Sequence, residues 1–241
     1  MVRAGGRSAA EMRPAEIIPH FISSAEGSAL IRIGETQVIC TASAEDGVPA
    51  FLKGSGKGWV SSEYSMIPRS TTVRTPREAT RGRQSGRTLE IQRLIGRSLR
   101  AVTDLEALGE RTVLIDCDVI RADGGTRTAA ISGAFVALGL AFKKMAAEKT
   151  LARLPFNDSV AAISVGVISG EKLVDLDFSE DSTAEVDVNV VMTGSGRLVE
   201  LQATGEGHSF SLEDLNQLVA LARPAIATLH ALQQKALGAN G

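Results

Sequence analysis

The run Ala122-Asp123-Gly124-Gly125-Thr126-Arg127-Thr128 constrains this 241-residue chain more than any other stretch. The apolar segment 113–120 precedes it and reads as a buried strand. Residues 129–143, nearly all small or apolar, follow it and read as a buried helix. Two glycines let the backbone turn tightly and approach a ligand closely. The helix start offers unpaired N–H groups and a partial positive charge. Thr126 and Thr128 add hydroxyl donors, and Arg127 adds a fork of N–H groups. An ordinary strand-to-helix turn needs only glycine for geometry and threonine as N-cap. It does not need a cation, which opposes the helix dipole there, whereas an anionic guest, phosphate above all, removes the conflict. The run is not a Walker loop, because no Gly-Lys-Ser/Thr stands in the required frame.

The net charge of −2 conceals an asymmetry. Between Arg69 and Arg100 nine arginines (69, 74, 77, 81, 83, 87, 93, 97 and 100) face only Glu78 and Glu90, leaving that segment at +7. The rest of the chain holds 17 basic and 26 acidic residues, or −9. A positive segment on an acidic protein suits a polyanion, and arginine without lysine favours forked phosphate contacts. Arg93, Arg97 and Arg100 fit a solvated or salt-bridged helix face equally well.

A chain of this length accommodates one large α/β domain or two small lobes. Residues 17–44 read as a β-meander, with Gly34-Glu35 as a two-residue hairpin turn. Another short strand is expected over 60–67. Residues 69–83, rich in Ser, Thr, Pro, Arg and Gly, cannot build a packed element and read as an exposed arm. A helix is expected from Gly86, with Arg87 at its start beside Thr88. Residues 151–158, with Pro155, form the best linker, dividing the chain into halves 1–150 and 151–241. The second half reads as strands near 160–168, 172–178, 186–192 and 197–203. A final helix starts at Ser211, with Asp214 completing a capping box and Pro224 expected to kink or interrupt it.

Cys40 and Cys117 lie in apolar runs and read as buried small hydrophobes, and His20, His208 and His230 share no zinc-ligand spacing. The basic N-terminus lacks the apolar stretch of a signal peptide, and 129–142 is too short to span a bilayer. The chain therefore reads as soluble and cytoplasmic, with no membrane partner.

Asp181 and Asp187 are the chemically interesting carboxylates. On one straight strand they would share a face but stand about 20 Å apart. For joint action the chain must turn near 182–184, where Ser-Thr-Ala suits a turn. Solvated turn carboxylates would look the same. Asp116 and Asp118, on the strand leading into the glycine pair, are rival metal candidates unless an arginine simply neutralises them.

These segments together resemble the ribonuclease PH family over nearly the whole chain. The matching runs include Arg13-Pro14, 25–28, 38–43, 51–54, 58–60, 86–97, 116–119, 122–129, 180–182 and 187–193. The resemblance implies an α+β fold of two βαβα halves related to ribosomal protein S5 domain 2. It also implies a homohexamer, a trimer of dimers. The activity implied is a phosphorolytic 3′→5′ exoribonuclease trimming tRNA precursors and other structured RNA 3′ ends, rRNA among them. Inorganic phosphate would be the co-substrate and nucleoside 5′-diphosphates the products, and the reverse reaction would add nucleotides. Matched by motif, Arg87, Gly125, Thr126 and Arg127 hold phosphate. Asp181 and Asp187 match the catalytic carboxylates that position Mg2+ or protonate the leaving oxygen. Arg69, Arg74 and Arg77 match the arm that grips RNA. Pro224, where relatives carry a Gly-rich helix, and a slightly longer N-terminal lead are the departures. A non-catalytic ring subunit would lack some of these residues, and a hydrolytic nuclease would carry a denser carboxylate cluster.

Overall fold

A computed structural model describes residues 3–207 and 209–238; His208 lies outside the described residues. In the first half the strands are β1 (Ala15–Pro19), β2 (Gly27–Ile33), β3 (Thr36–Asp46), β4 (Trp59–Met66) and β5 (Arg111–Arg121). They form one sheet in the order β1-β2-β3-β5-β4, antiparallel except for the parallel pair β4/β5. That parallel pair needs a crossover. Helix α1 (Gly86–Ala101) supplies it, with the one-turn α2 (Leu105–Leu108). Ser85 caps α1 by accepting the Thr88 N–H at 3.2 Å. Ile91, Leu94, Ile95 and Leu99 recur at helical spacing and are buried.

β5 alternates buried Val113, Ile115, Cys117 and Val119 with half-buried or exposed partners, so its inner face meets the core. The chain then enters α3 (Thr126–Ala147), which packs on β2 and β3 of the first sheet and on β6 of the second. At 22 residues α3 exceeds the apolar stretch visible in the sequence, and its length and composition would allow it to cross a membrane. It is instead a core helix, buried on nearly every side between the sheets.

In the second half β6 (Val160–Ile168), β7 (Glu171–Val174), β8 (Val186–Thr193) and β9 (Leu198–Gly205) form an antiparallel sheet ordered β7-β6-β8-β9. The strand expected over 172–178 stops at Val174, and Phe178–Asp181 forms a one-turn helix, α4. The reason is a capping box. The Asp177 carboxylate accepts the Ser179 and Glu180 N–H groups at 2.9 and 3.0 Å, and Glu180 accepts the Asp177 N–H at 3.1 Å. Helix α5 (Leu212–Ala236) starts at the expected Ser211–Asp214 capping box and runs through Pro224 without interruption. Pro224 and Ala220 lie on the exposed side, so the Ala220 carbonyl that loses its donor can turn to water. The segment expected to be a linker is pinned: Phe156 stacks against Phe135 and Phe142, and the Pro155 carbonyl accepts the Asp104 N–H.

Candidate active site

The glycine-pair turn opens onto a cleft of about 820 Å3. Gly124 and Gly125 have φ of +74° and +65°, the left-handed conformation that glycine adopts without strain. A side chain at Gly124 would also strike the backbone of Leu176 and Asp177, at 2.4 and 2.6 Å. Only glycine lets this turn lie against the segment that enters α4. Gly125, rather than a threonine, is the N-cap of α3. The Thr128 hydroxyl is spent on the Gly125 carbonyl at 2.9 Å. Thr126 shares a 2.8 Å hydrogen bond with the buried Tyr64 hydroxyl. When Tyr64 donates, the Thr126 proton stays available to a ligand.

Arg87 and Arg127 occupy the same place in different helices: each is the second residue, after the cap, of α1 and of α3. Both line the cleft, and neither pairs with a carboxylate among the described residues. Arg127 is steered by a 3.3 Å hydrogen bond that it donates to the side-chain amide oxygen of Gln202 on β9. Two helix N-termini and two arginines therefore converge on one concavity, an arrangement that binds an anion.

The carboxylates come from the second sheet. Asp181 ends α4, the chain turns through 182–185, and Asp187 follows at the start of β8. The turn required for joint action is present, and both carboxylates line the cleft with Arg87 and Arg127. Desolvation pushes the Asp187 carboxyl up to about 6, aided by the like charge of Asp181 and opposed by Arg127 and Arg87. Asp181, at the open mouth, is also raised by desolvation despite the same two arginines. Such a strained pair attracts a cation or a proton. Among the described residues no three His, Cys, Asp or Glu gather to hold a metal. A cation here would complete its shell from water and phosphate oxygens, as Mg2+ commonly does, so the pair fits Mg2+.

Asp116 and Asp118 lie elsewhere. They point out of the first sheet's outer face beside Glu63 and Ser65, and they do not line the cleft. Among the described residues no arginine neutralises them; Asp118 accepts the Ser65 hydroxyl at 2.7 Å, and burial, Glu63 and Asp118 raise Asp116. Arg69, Arg74 and Arg77 are exposed on the segment leading to α1, which carries a short 3-10 turn at Glu78–Arg81. Their segment borders the cleft at Thr71 and Thr72. Two of the helix arginines prove structural: Arg97 pairs with Glu200 at 2.7 Å, and Arg100 lies over Trp59 and donates to the Val60 carbonyl at 2.7 Å.

Sequence reasoning missed a buried network behind the site. Arg3 donates to Glu180 at 2.7 and 2.9 Å, and Arg13 forks onto Asp175 at 2.9 and 2.8 Å. Arg7 lies 3.3 Å from Glu180 and 3.6 Å from Asp177. The only local trace is the excess of arginine at the N-terminus, whose acidic partners stand more than 160 positions away.

The chain matches the models of both domains of the 3′ exoribonuclease family, domain 1 over residues 11–143 and domain 2 over 158–225. It is 56% identical over 238 residues to the ribonuclease PH of Moorella thermoacetica, covering 99% of this chain and 95% of that protein. The chain belongs to the ribonuclease PH family. A Neisseria meningitidis ribonuclease PH is likewise 56% identical, over 97% of this chain and 96% of its own length. Membership makes it a phosphate-dependent 3′→5′ exoribonuclease with inorganic phosphate as co-substrate. The fold is that of rice Rrp46 (TM-score 0.80, 19% identity, 98% of this chain and 100% of that one). An Archaeoglobus fulgidus exosome structure with RNA in its active site also shares it (TM-score 0.80, 23% identity, 95% and 91%).

Proposed function

We propose that the cleft is the phosphorolytic active site and that Arg87, Gly125, Thr126 and Arg127 hold the attacking phosphate. The supporting observation is the sharing of one cleft by two arginines that have no carboxylate partner among the described residues and two carboxylates of raised proton affinity. Phosphorolysis brings a free phosphate against a phosphodiester, two anions that repel. Arg87, Arg127 and the helix N-termini offset that repulsion and align the attack. A phosphate oxygen forms a bond to the last phosphorus, the bond to the preceding 3′ oxygen breaks, and a nucleoside 5′-diphosphate leaves. No histidine base is needed, because phosphate brings its own nucleophilic oxygen.

Asp181 and Asp187 would hold Mg2+, which when bound supplies positive charge to the phosphates and to the leaving oxygen. Alternatively, in place of holding the cation, Asp187, whose carboxyl is raised to about 6, hands a proton to the leaving 3′ oxygen. Arg69, Arg74 and Arg77 grip the RNA backbone upstream without reading its sequence. In this reading the first half, 1–150, binds phosphate and RNA, and the second, 151–241, supplies the carboxylates. We propose tRNA precursors as substrates, with rRNA and other structured 3′ ends beside them, in the cytoplasm. The assembly proposed is a homohexamer, a trimer of dimers. Exposed Phe51, Leu154, Leu198 and Leu212 provide apolar surface for subunits to cover, and light scattering tests it.

The deciding assay incubates the protein with a 3′-extended tRNA, with and without phosphate. Diphosphates formed only with phosphate support the reading, and monophosphates in phosphate-free buffer would sink it.

A further inference from the structure

We propose that Arg13 and Thr36 are positioning residues that orient the Gly124–Gly125 peptides so that their N–H groups face the attacking phosphate. The inference rests on the phosphate-site reading above. Arg13 is buried, with only 6% of its surface exposed, and its guanidinium bridges the glycine turn and the segment that enters α4. On one side it forks onto Asp175, and its own backbone N–H also donates to that carboxylate at 2.7 Å. On the other it donates to the carbonyls of Asp123 and, at 3.4 Å, of Gly124. Thr36, fully buried at the start of β3, donates to the same Gly124 carbonyl at 2.7 Å. Its hydroxyl oxygen also accepts the Asp123 N–H at 3.0 Å.

The consequence follows from peptide geometry. In a trans peptide the C=O and the next N–H point in opposite directions, and no peptide among the described residues is cis. Holding the Asp123 and Gly124 carbonyls back toward Arg13 and Thr36 turns the N–H groups of Gly124 and Gly125 the other way. Both glycines line the cleft, and neither N–H finds an acceptor among the described residues. With φ positive at both, the flexible pair has many other orientations open to it. The two buried donors select one and so preorganise two donors for an anion.

Arg13 also ties this turn to the acid side. Asp175 has φ of +54°, unusual for a non-glycine residue, and is 1% exposed. Arg13 holds it there, and two residues later Asp177 begins the capping box that sets α4 and Asp181. One guanidinium thereby sets the spacing between the phosphate turn and a catalytic carboxylate, neither of which it shares with substrate.

The test measures steady-state phosphorolysis of a 3′-extended RNA, with inorganic phosphate and RNA varied separately. The variants are Thr36→Val, Thr36→Ser and Arg13→Lys, with Arg127→Ala as comparator. Thr36→Val, which keeps the shape and removes the hydroxyl, should raise the KM for phosphate about tenfold while KM for RNA and saturating kcat stay within about threefold. Thr36→Ser should restore the wild-type phosphate KM, and Arg13→Lys, which loses the fork, should raise it further. Should Arg13→Lys not fold, the Thr36 pair decides alone. A Thr36→Val enzyme with a wild-type phosphate KM, or one whose phosphate and RNA constants rise together, overturns the positioning role. So does failure of Thr36→Ser to restore it. If Arg127→Ala leaves the phosphate KM unchanged, the phosphate-site reading itself falls, an outcome distinct from the others.

Discussion

Two populations of charge divide this molecule. Behind the cleft, Arg3, Arg7 and Arg13 meet Asp175, Asp177 and Glu180, and every one of these side chains is buried or nearly so. In and around the cleft, Arg69, Arg74, Arg77 and Arg87 are exposed, Asp187 is only half-buried, and Asp181 stands open at the mouth. The first group is compensated by protein. The second is left uncompensated: desolvation raises both carboxyls, the charge of Asp181 adds to the rise at Asp187, and the arginines find no carboxylate among the described residues. Residue type does not separate the groups, since both are arginine and acid. The completeness of the partner set does. Charges completed within the fold set geometry, and charges left open await phosphate, a cation or RNA.

The contrast breaks most readily at its compensated side. Asp175→Asn leaves the Arg13 guanidinium buried without its carboxylate and should cost about 3–5 kcal/mol of stability, read by urea unfolding. A loss below 1 kcal/mol would mean that the network is ornamental.

At the uncompensated side the sign should reverse. The Asp187 carboxyl is raised from 3.8 to about 6 in the folded chain, so between these values the native state binds more protons than the unfolded one. Stability therefore falls as pH rises from about 4 to about 6, and above that the cost is fully present, about 3 kcal/mol. In phosphate-free and metal-free buffer Asp187→Asn should be stabilising by up to that amount at pH 8. The gain should vanish below pH 4, while turnover drops at least about a hundredfold with RNA still bound. Equal stability of the two proteins across that range would place Asp187 among the compensated charges.

A subtler break concerns the exposed arm. Replacing Arg74 and Arg77 by alanine should leave unfolding within about 0.5 kcal/mol of wild type. The same double variant should reduce the slope of log affinity for single-stranded RNA against log salt by about 1.4. An unchanged slope would make the arm a bystander. The smallest effect is expected at Arg97, whose ion pair with Glu200 is half exposed. Arg97→Gln should shift stability by no more than about 0.5 kcal/mol and leave phosphate and RNA constants alone.

The two populations also differ in how well they can be read from the chain. The glycine-pair turn, the Arg87 helix start and the Ser211–Asp214 box are local, and a few adjacent residues carry the whole signal. The turn between Asp181 and Asp187 is local too. Strand 172–178 failed because the capping box at Asp177 competes with strand continuation over the same residues, and pattern alone does not rank the two. Pro224 failed the other way: Ala222, Ala225 and Ile226 are buried, and that packing holds α5 together where the proline's own preference would end it. Asp116 and Asp118 could not be placed, because alternation reveals two faces of a strand without saying which one meets the site.

What the sequence by itself determined is the set of parts: an anion-binding turn, arginines at two helix starts, a carboxylate pair with a bend between its members, and an exposed basic segment. Each is written in short-range chemistry, in backbone freedom, capping and periodicity. Only the tertiary structure decided that these parts share one cleft, and which arginines are left open to a ligand. Arg3 meets Glu180 across 177 positions and Arg13 meets Asp175 across 162. Partner choice over such distances follows from the packing of two sheets around α3, and no local preference encodes it.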